Sequence, residues 1–396
     1  MNKKVAIVYR LDMPGGVQSC VFSLIKGLNR LYIIPDILWD CEPDWSLLHE
    51  QGGRAAYRKV RFRVPQRMID KMPNTLRYLA HICNVIDARK FREEYNFFFI
   101  FSNGFVVSKD MPHLYYLSGP PLLPQLETNS PGIKGLPTRF SRLLYKKALN
   151  RISPVYDYHR ELRYVINSQY TAGLFQDAHG VRLPVVYPPI DLSGRDFADD
   201  DLPKRDSITF FSRIVDYKRP EMVLDLARRH RQFRCVIMGG VAPIRRAYFE
   251  SLHKYADEHS MKNVVFLDNP SSERVRDELA RTRFYVFPGI NEHFGMTTPE
   301  AIASGAIPFV HDSGGQQEIV NNPELRFVDK TFFDRFESLL NRTDAELQGA
   351  RTALNKHVQT FSEANYIKTM LSYFLGDASG ETDTEKGVLH YADDQG

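Results

Sequence analysis

The stretch from 288 to 320 constrains this chain more than any other. Residues 283–287 form an aromatic and β-branched run, which predicts a buried strand. Pro288-Gly289 ends the run with a turn signal. A helix is predicted to start near Thr297 and stop at Gly305. A second strand at 307–310 then leads to Ser313-Gly314-Gly315 and another helix start. Two successive strand–loop–helix units leave two sets of backbone N–H groups at the carboxyl ends of parallel strands. Open α/β sheets bind ligands there, and helix N-termini meet anions there.

Glu292 and Glu300 sit in this stretch, and two readings of them stand. Glu300 follows Thr297 by three residues, the spacing of a capping box, and Glu292 is then a solvated loop carboxylate. Alternatively, both carboxylates accept hydrogen bonds from ligand hydroxyls, as sugars require. Capping gives no reason for His293-Phe294-Gly295-Met296 to fill the loop between them.

The alternation of short apolar runs and helical stretches extends over most of the chain. Strands are predicted at 5–9, 36–39, 97–101, 114–117 and 164–166. After a polar linker a second series follows at 207–211, 235–238, 264–267, 284–287, 307–310 and 326–328. With 396 residues the chain is long for a single core. The expected architecture is α/β: two doubly wound parallel sheets facing a deep cleft. The predicted bounds are 1–192 for the first domain, 193–206 for the linker and 207–360 for the second domain. A helix at 361–376 and an acidic, polar, disordered tail at 377–396 complete the chain. Asp199 and Asp201 form an Asp-x-Asp in the linker, but no strand precedes it, so it is not read as a metal site.

Gly15 and Gly16 follow the first strand and precede a helix predicted from about Val17. The spacing is not Gly-x-Gly-x-x-Gly, so the dinucleotide fingerprint is absent. Both residues are explained as turn glycines, or as a loop bare enough for a diphosphate to approach. Gly239-Gly240 offers a similar approach after the 235–238 strand.

Arg213, Lys218 and Arg219 precede Pro220, which suits the first position of a helix. Cations at that end oppose the helix dipole by about 0.3–1 kcal/mol each. Either Asp216 and Glu221 neutralise them, or an anion binds between them, Arg213 by its fork and Lys218 as a point charge. A pyrophosphate fits.

Charge is uneven. Residues 1–190 hold 26 Lys+Arg against 15 Asp+Glu, and residues 191–396 hold 26 against 33. The basic excess gathers at 54–71 and at 134–151, the latter with the spacing of an amphipathic helix. These are solvated faces, or an N-terminal domain that touches anionic lipid or a phosphate-bearing acceptor. Nucleic acid fits less well, because aromatic residues are not interleaved with the basic ones. Cys20, Cys41, Cys83 and Cys235 form no Cys-x-x-Cys pair, and the N-terminus lacks a signal-peptide cleavage pattern. A cytoplasmic setting without structural zinc is expected.

Glu292-His-Phe-Gly-Met-x-x-x-Glu300-Ala, followed by Ala-Ile-Pro-x-Val-x-x-Ser-Gly-Gly, resembles the Glu-x₇-Glu donor site of family 4 glycosyltransferases with the GT-B fold. Arg213-Ile-Val-Asp-Tyr-Lys218-Arg219-Pro220 resembles that family's diphosphate-binding pair. The Gly15-Gly16 loop, Val165 to Ser168 and Val186 to Asp191 are similar as well, and the 361–374 helix resembles the one that crosses back to the first domain. The resemblance implies a retaining transferase that takes a nucleotide-sugar donor, needs no metal or other cofactor, and serves a glycan or lipid-linked acceptor. It implies that Arg213 and Lys218 stabilise the leaving diphosphate and that Glu300 binds the ribose. Glu292, His293 and Thr297, with the N–H groups around Phe294, Gly295 and Met296, would hold the sugar. Gly239 and Pro270 would lie on the nucleotide side. The Tyr-Lys-Arg-Pro and His-Phe-Gly-Met variants favour a GDP-linked mannose or related deoxyhexose over a UDP-sugar. One departure stands out: many relatives carry a His near the sugar, and Ser118 occupies that place here, while His113 falls within a strand. A GT-B-shaped epimerase or phosphorylase, or a non-catalytic sugar-nucleotide-binding protein, are the alternatives.

Overall fold

The computed structural model describes residues 4–11, 15–43, 52–61, 86–101, 105–106, 111–119, 163–190 and 206–376, with a few isolated positions besides. The basic segment at 134–151, the linker through 205 and the tail from 377 lie outside the described residues, as does Cys83. The chain divides into two compact units, Met1–Pro189 with Ala364–Gly396, and Ile190–Glu363.

In the first unit the strands are β1 (Val5–Val8), β2 (Asp36–Trp39), β3 (Ala56–Lys59), β4 (Ile86–Asp87), β5 (Phe97–Ile100), β6 (Phe105–Val106), β7 (His113–Leu117) and β8 (Tyr164–Ile166). Six of them form a parallel sheet in the order β3-β2-β1-β5-β7-β8, while β4 and β6 pair apart. Sequence reading misses β3, an edge strand reading Ala-Tyr-Arg-Lys with both end residues exposed. An edge strand with no buried face lacks the apolar run that marks the others. Helix Gly16–Arg30 covers β1, and helix Gln169–His179 begins at the predicted cap, where Ser168 accepts the Thr171 N–H. The C-terminal helix Glu363–Leu375 packs into this same unit. Tyr366, Ile367, Met370 and Phe374 join Val5, Leu24 and Phe99 in one core, with the Phe374 ring 5.4 Å from that of Phe97.

The second unit holds β9 (Ser207–Phe211), β10 (Arg234–Gly239), β11 (Val264–Asp268), β12 (Phe284–Phe287), β13 (Ile307–His311) and β14 (Arg326–Phe327). They form a parallel sheet in the order β11-β10-β9-β12-β13-β14. Each sheet thus runs 3-2-1-4-5-6 in its own strand order, the doubly wound arrangement predicted from the alternation. Burial explains the sequence signal: β9, β10, β12 and β13 are covered on both faces and read as continuous apolar runs. The strand order reverses between β9 and β12. Ligands bind in doubly wound folds at such a reversal, beyond the carboxyl ends of the strands.

Candidate functional site

The loops after β9 and β12 meet at that reversal. Beyond β9 the chain makes a 3-10 turn, Asp216–Lys218, then places Arg219 in the left-handed region (φ 60°), so that Pro220 opens helix Pro220–Arg229 as expected. Lys218 is buried, its ammonium 5.1 Å from the centre of the Phe287 ring. It forms an ion pair with Glu292 of the loop after β12. Two residues predicted to act separately, one on phosphate and one on sugar, are therefore in direct contact. Burial and the nearby Arg213 guanidinium pull the Lys218 ammonium down to about 7, and the Glu292 carboxylate opposes that pull.

Arg213 is exposed, and its guanidinium donates to the Tyr217 hydroxyl at 3.2 Å. The acids expected to neutralise this cluster are turned away. Asp216 faces Arg245 at 3.4 Å and accepts the Tyr217 N–H, and Glu221 accepts the Tyr248 hydroxyl at 2.7 Å. Arg219 serves the scaffold: it donates to the Pro288 carbonyl (3.3 Å) and to Asp329 (2.9 Å). Gly239 closes β10 at φ +151°, and a Cβ there would sit 1.6 Å from the Ser212 carbonyl oxygen. The end of β10 therefore crosses the end of β9 with no side chain between them. Asn269, also left-handed, donates its N–H to the Gly239 carbonyl and accepts the Val241 N–H on its side chain, and half-buried Pro270 follows it.

The loop 288–296 interlocks with the one after β13. Gly314 and Gly315 were expected to open a second anion-binding helix N-terminus, and here the structure differs. That helix, Gln316–Ile319, is a single turn, and the Gly315 N–H donates to the Glu292 carbonyl at 2.7 Å. A Cβ at Gly314 or Gly315 would fall 2.4–2.5 Å from the carbonyl oxygens of Glu292 and His293. These glycines admit the partner loop, whose carbonyl oxygens lie where their Cβ atoms would stand. Gln316, fully buried, receives the Thr298 hydroxyl and donates to the Phe294 carbonyl. Gly295, at φ +96°, leaves the space that Gln316 fills.

The capping-box reading of Glu300 also fails. The cap of helix Thr297–Ala303 is Met296, no side chain caps it, and the Thr297 hydroxyl pairs with that of Tyr285 at 2.8 Å. Glu300 stands half-buried in the first turn. The Phe294 ring is core, 5.2 Å from Phe361. His293 is held down at about 4 by burial and by Lys218, so it is neutral near pH 7. An unfolded His takes its proton near 6.5, and the native one only near 4. Its contribution to stability is complete above 6.5 and is lost as pH falls towards 4, at most about 3 kcal/mol. Urea midpoints at pH 7 and pH 5 should show this slope, and His293→Gln should flatten it.

In the first unit Gly15, extended at φ 168°, caps helix Gly16–Arg30 through its backbone, with open space where a Cβ would stand. Ser118 is exposed, and its carbonyl accepts the Asn167 amide at 2.8 Å. His113 is buried within β7, bonded to the Met111 carbonyl and the Arg163 N–H. Gln316 and Asp329 join the second unit's site without a sequence signal, because nothing local marks partners that lie far apart along the chain.

Residues 195–343 match the family model of glycosyl transferases group 1. The chain is similar to the Dictyostelium discoideum GDP-Man:Man(3)GlcNAc(2)-PP-Dol alpha-1,2-mannosyltransferase, 24% identical over 257 residues, covering 59% of this chain and 50% of the relative. It is also similar to D-inositol 3-phosphate glycosyltransferase of Mycolicibacterium smegmatis, 25% identical over 233 residues, covering 54% and 52%. The chain spans about half the length of these curated relatives. Anabaena HepE, solved with UDP-glucose, shares the fold with a TM-score of 0.67 at 15% identity, over 94% of this chain and 99% of HepE. The chain therefore has the GT-B fold, and its residues 195–343 match glycosyl transferases group 1.

Proposed function

We propose that this protein transfers a hexose from a nucleotide diphosphate sugar to a glycan or lipid-linked acceptor, retaining the anomeric configuration as family 4 enzymes do. The observation that carries the reading is the contact of Lys218 with Glu292 at the β9/β12 reversal, with Arg213 exposed beside it and Gly239 keeping the strand ends bare. Cleaving a glycosyl–phosphate bond builds negative charge on the departing diphosphate. Fixed cations there stabilise the transition state more than the ground state. Arg213 and Lys218 take that role. Glu292, already on Lys218, orients the sugar hydroxyls together with neutral His293 and the N–H groups of Gly295 and Met296. Glu300 accepts from the ribose.

GDP-mannose is the favoured donor. The Dictyostelium relative is named for GDP-Man, which agrees with the Tyr-Lys-Arg-Pro and His-Phe-Gly-Met variants, whereas HepE holds UDP-glucose. GDP should raise the melting temperature more than UDP does. No shift with either would count against the donor site. Mass spectrometry of the products from a panel of GDP- and UDP-sugars identifies the donor, and EDTA should leave the rate unchanged. Among the described residues no helix is long and apolar enough to cross a membrane. We read the basic excess of residues 1–190 as a contact for anionic membrane. Co-sedimentation with anionic vesicles at low salt tests it, and failure to pellet would remove that reading.

A further inference from the structure

The first half of the donor-site loop is tied at two points to one carboxylate that sequence patterns give no reason to single out. At its start, the Pro288 carbonyl accepts from Arg219, whose guanidinium also donates to Asp329 at 2.9 Å. Three residues on, the Asn291 N–H donates to the Ser313 hydroxyl at 2.9 Å, and that hydroxyl pairs with His311 Nδ1 at 2.8 Å. The other ring nitrogen, His311 Nε2, faces the same Asp329 oxygen at 3.4 Å. The directions of these bonds are fixed by their chemistry. Ser313 accepts from Asn291 and can give its own hydrogen to Nδ1, which leaves the imidazole hydrogen on Nε2, pointing at a carboxylate that only accepts. The opposite tautomer would set a ring lone pair against the Asp329 charge. The result is a closed circuit, Pro288–Arg219–Asp329–His311–Ser313–Asn291, drawn from the last residue of β13 and the loops after β9, β12, β13 and β14.

The circuit spans the residues just before Glu292. Asn291 is held in the left-handed region (φ 53°), a conformation that Asn tolerates but does not prefer. Its N–H bond to Ser313 is one of the contacts that keep it there. Asp329 itself is exposed, with 55% of its side chain open, so it contributes little by burial. What it contributes is direction, since one oxygen, Oδ1, faces both Arg219 and His311.

We propose that Asp329 and His311 are positioning residues of the donor site: through Arg219 and Ser313 they fix the Pro288–Asn291 turn, so that Glu292 is presented to Lys218 and to the donor sugar. The proposal rests on the donor-site reading above. It separates the two halves of a nucleotide sugar. The diphosphate contacts of Arg213 and Lys218 come from the loop after β9, whereas the sugar contacts come from the loop that this circuit fixes.

The test is titration calorimetry of wild type, Asp329→Ala, Ser313→Ala and the double variant, with GDP and GDP-mannose, and with UDP and UDP-glucose. Each single variant should weaken the nucleotide sugar about tenfold, the effect of one lost charged or directed hydrogen bond. The nucleoside diphosphate should change less than about twofold, and melting temperatures should stay close to wild type. The double variant should lose no more than either single one, because both break the same circuit, and Ser313→Thr should restore binding. Equal loss for diphosphate and sugar nucleotide, additive losses, or no loss would each overturn the proposal. Wild type that binds none of the four ligands overturns the donor-site reading instead.

Discussion

Replacing Lys218 by alanine should cut kcat/KM for the sugar donor by about 10²–10³, the usual cost of one preorganised group that meets developing charge. The size follows from where the ammonium lies: it is buried against Phe287 and at the end of β9, where water does little to screen it. The same change leaves the partly buried Glu292 carboxylate without its ion pair, so stability should fall as well, by roughly 1–3 kcal/mol, the cost of one unsatisfied buried group. The two effects can be separated. Lys218→Met combined with Glu292→Gln removes both charges and should recover most of the stability while leaving activity low. Proton linkage gives a second readout. Lys218 is held down at about 7, and a bound diphosphate draws the proton back to it. Nucleotide binding at about pH 8 should therefore take up protons, seen as a binding heat that varies with the ionisation enthalpy of the buffer. A heat independent of buffer, with full activity in Lys218→Ala, would remove Lys218 from the site.

Gly239→Ala should unfold the second unit or come close to it, at a cost of roughly 4 kcal/mol or more. Two independent strains add here. The backbone sits at φ +151°, which L side chains rarely adopt, and the new Cβ would meet the Ser212 carbonyl oxygen at 1.6 Å. Both contacts are backbone, so no side chain can yield. In a unit of this size the melting temperature should drop by about 10 °C or more. Gly15→Ala makes the contrast. Gly15 is extended and nothing lies within 4 Å of its Cβ position, so the stability change should stay within about 0.5 kcal/mol. Thermal unfolding of the two variants side by side decides the matter, and equal stability would show that the close passage of β10 over β9 is misread.

The sheets were legible because buried parallel strands carry an uninterrupted apolar signal, and β9, β12 and β8 begin and end where the apolar runs do. The edge strand β3 was not, since half its residues face water. Within the site, backbone devices were readable: Pro220 opens its helix, and Ser168 caps another. Charge partners were harder. Asp216 and Glu221 are the nearest acids to Lys218 in the chain, yet the carboxylate that reaches it is Glu292, brought over by the strand order. Gly314-Gly315 shows the same limit. A glycine pair before a helix suits a phosphate or a neighbouring backbone equally well, and only the fold reveals that the loop carrying Glu292 occupies the space. The Thr297/Glu300 spacing misleads in the other direction, because Tyr285 takes the hydroxyl that would have capped the helix.

A crystal structure with a bound sugar nucleotide, GDP-mannose first and UDP-glucose second, tests the central claim most directly. The expected result has diphosphate oxygens within about 3 Å of the Arg213 guanidinium and the Lys218 ammonium, and the sugar against Glu292. A nucleotide bound away from both cations, with Lys218 still paired to Glu292 alone, would contradict it.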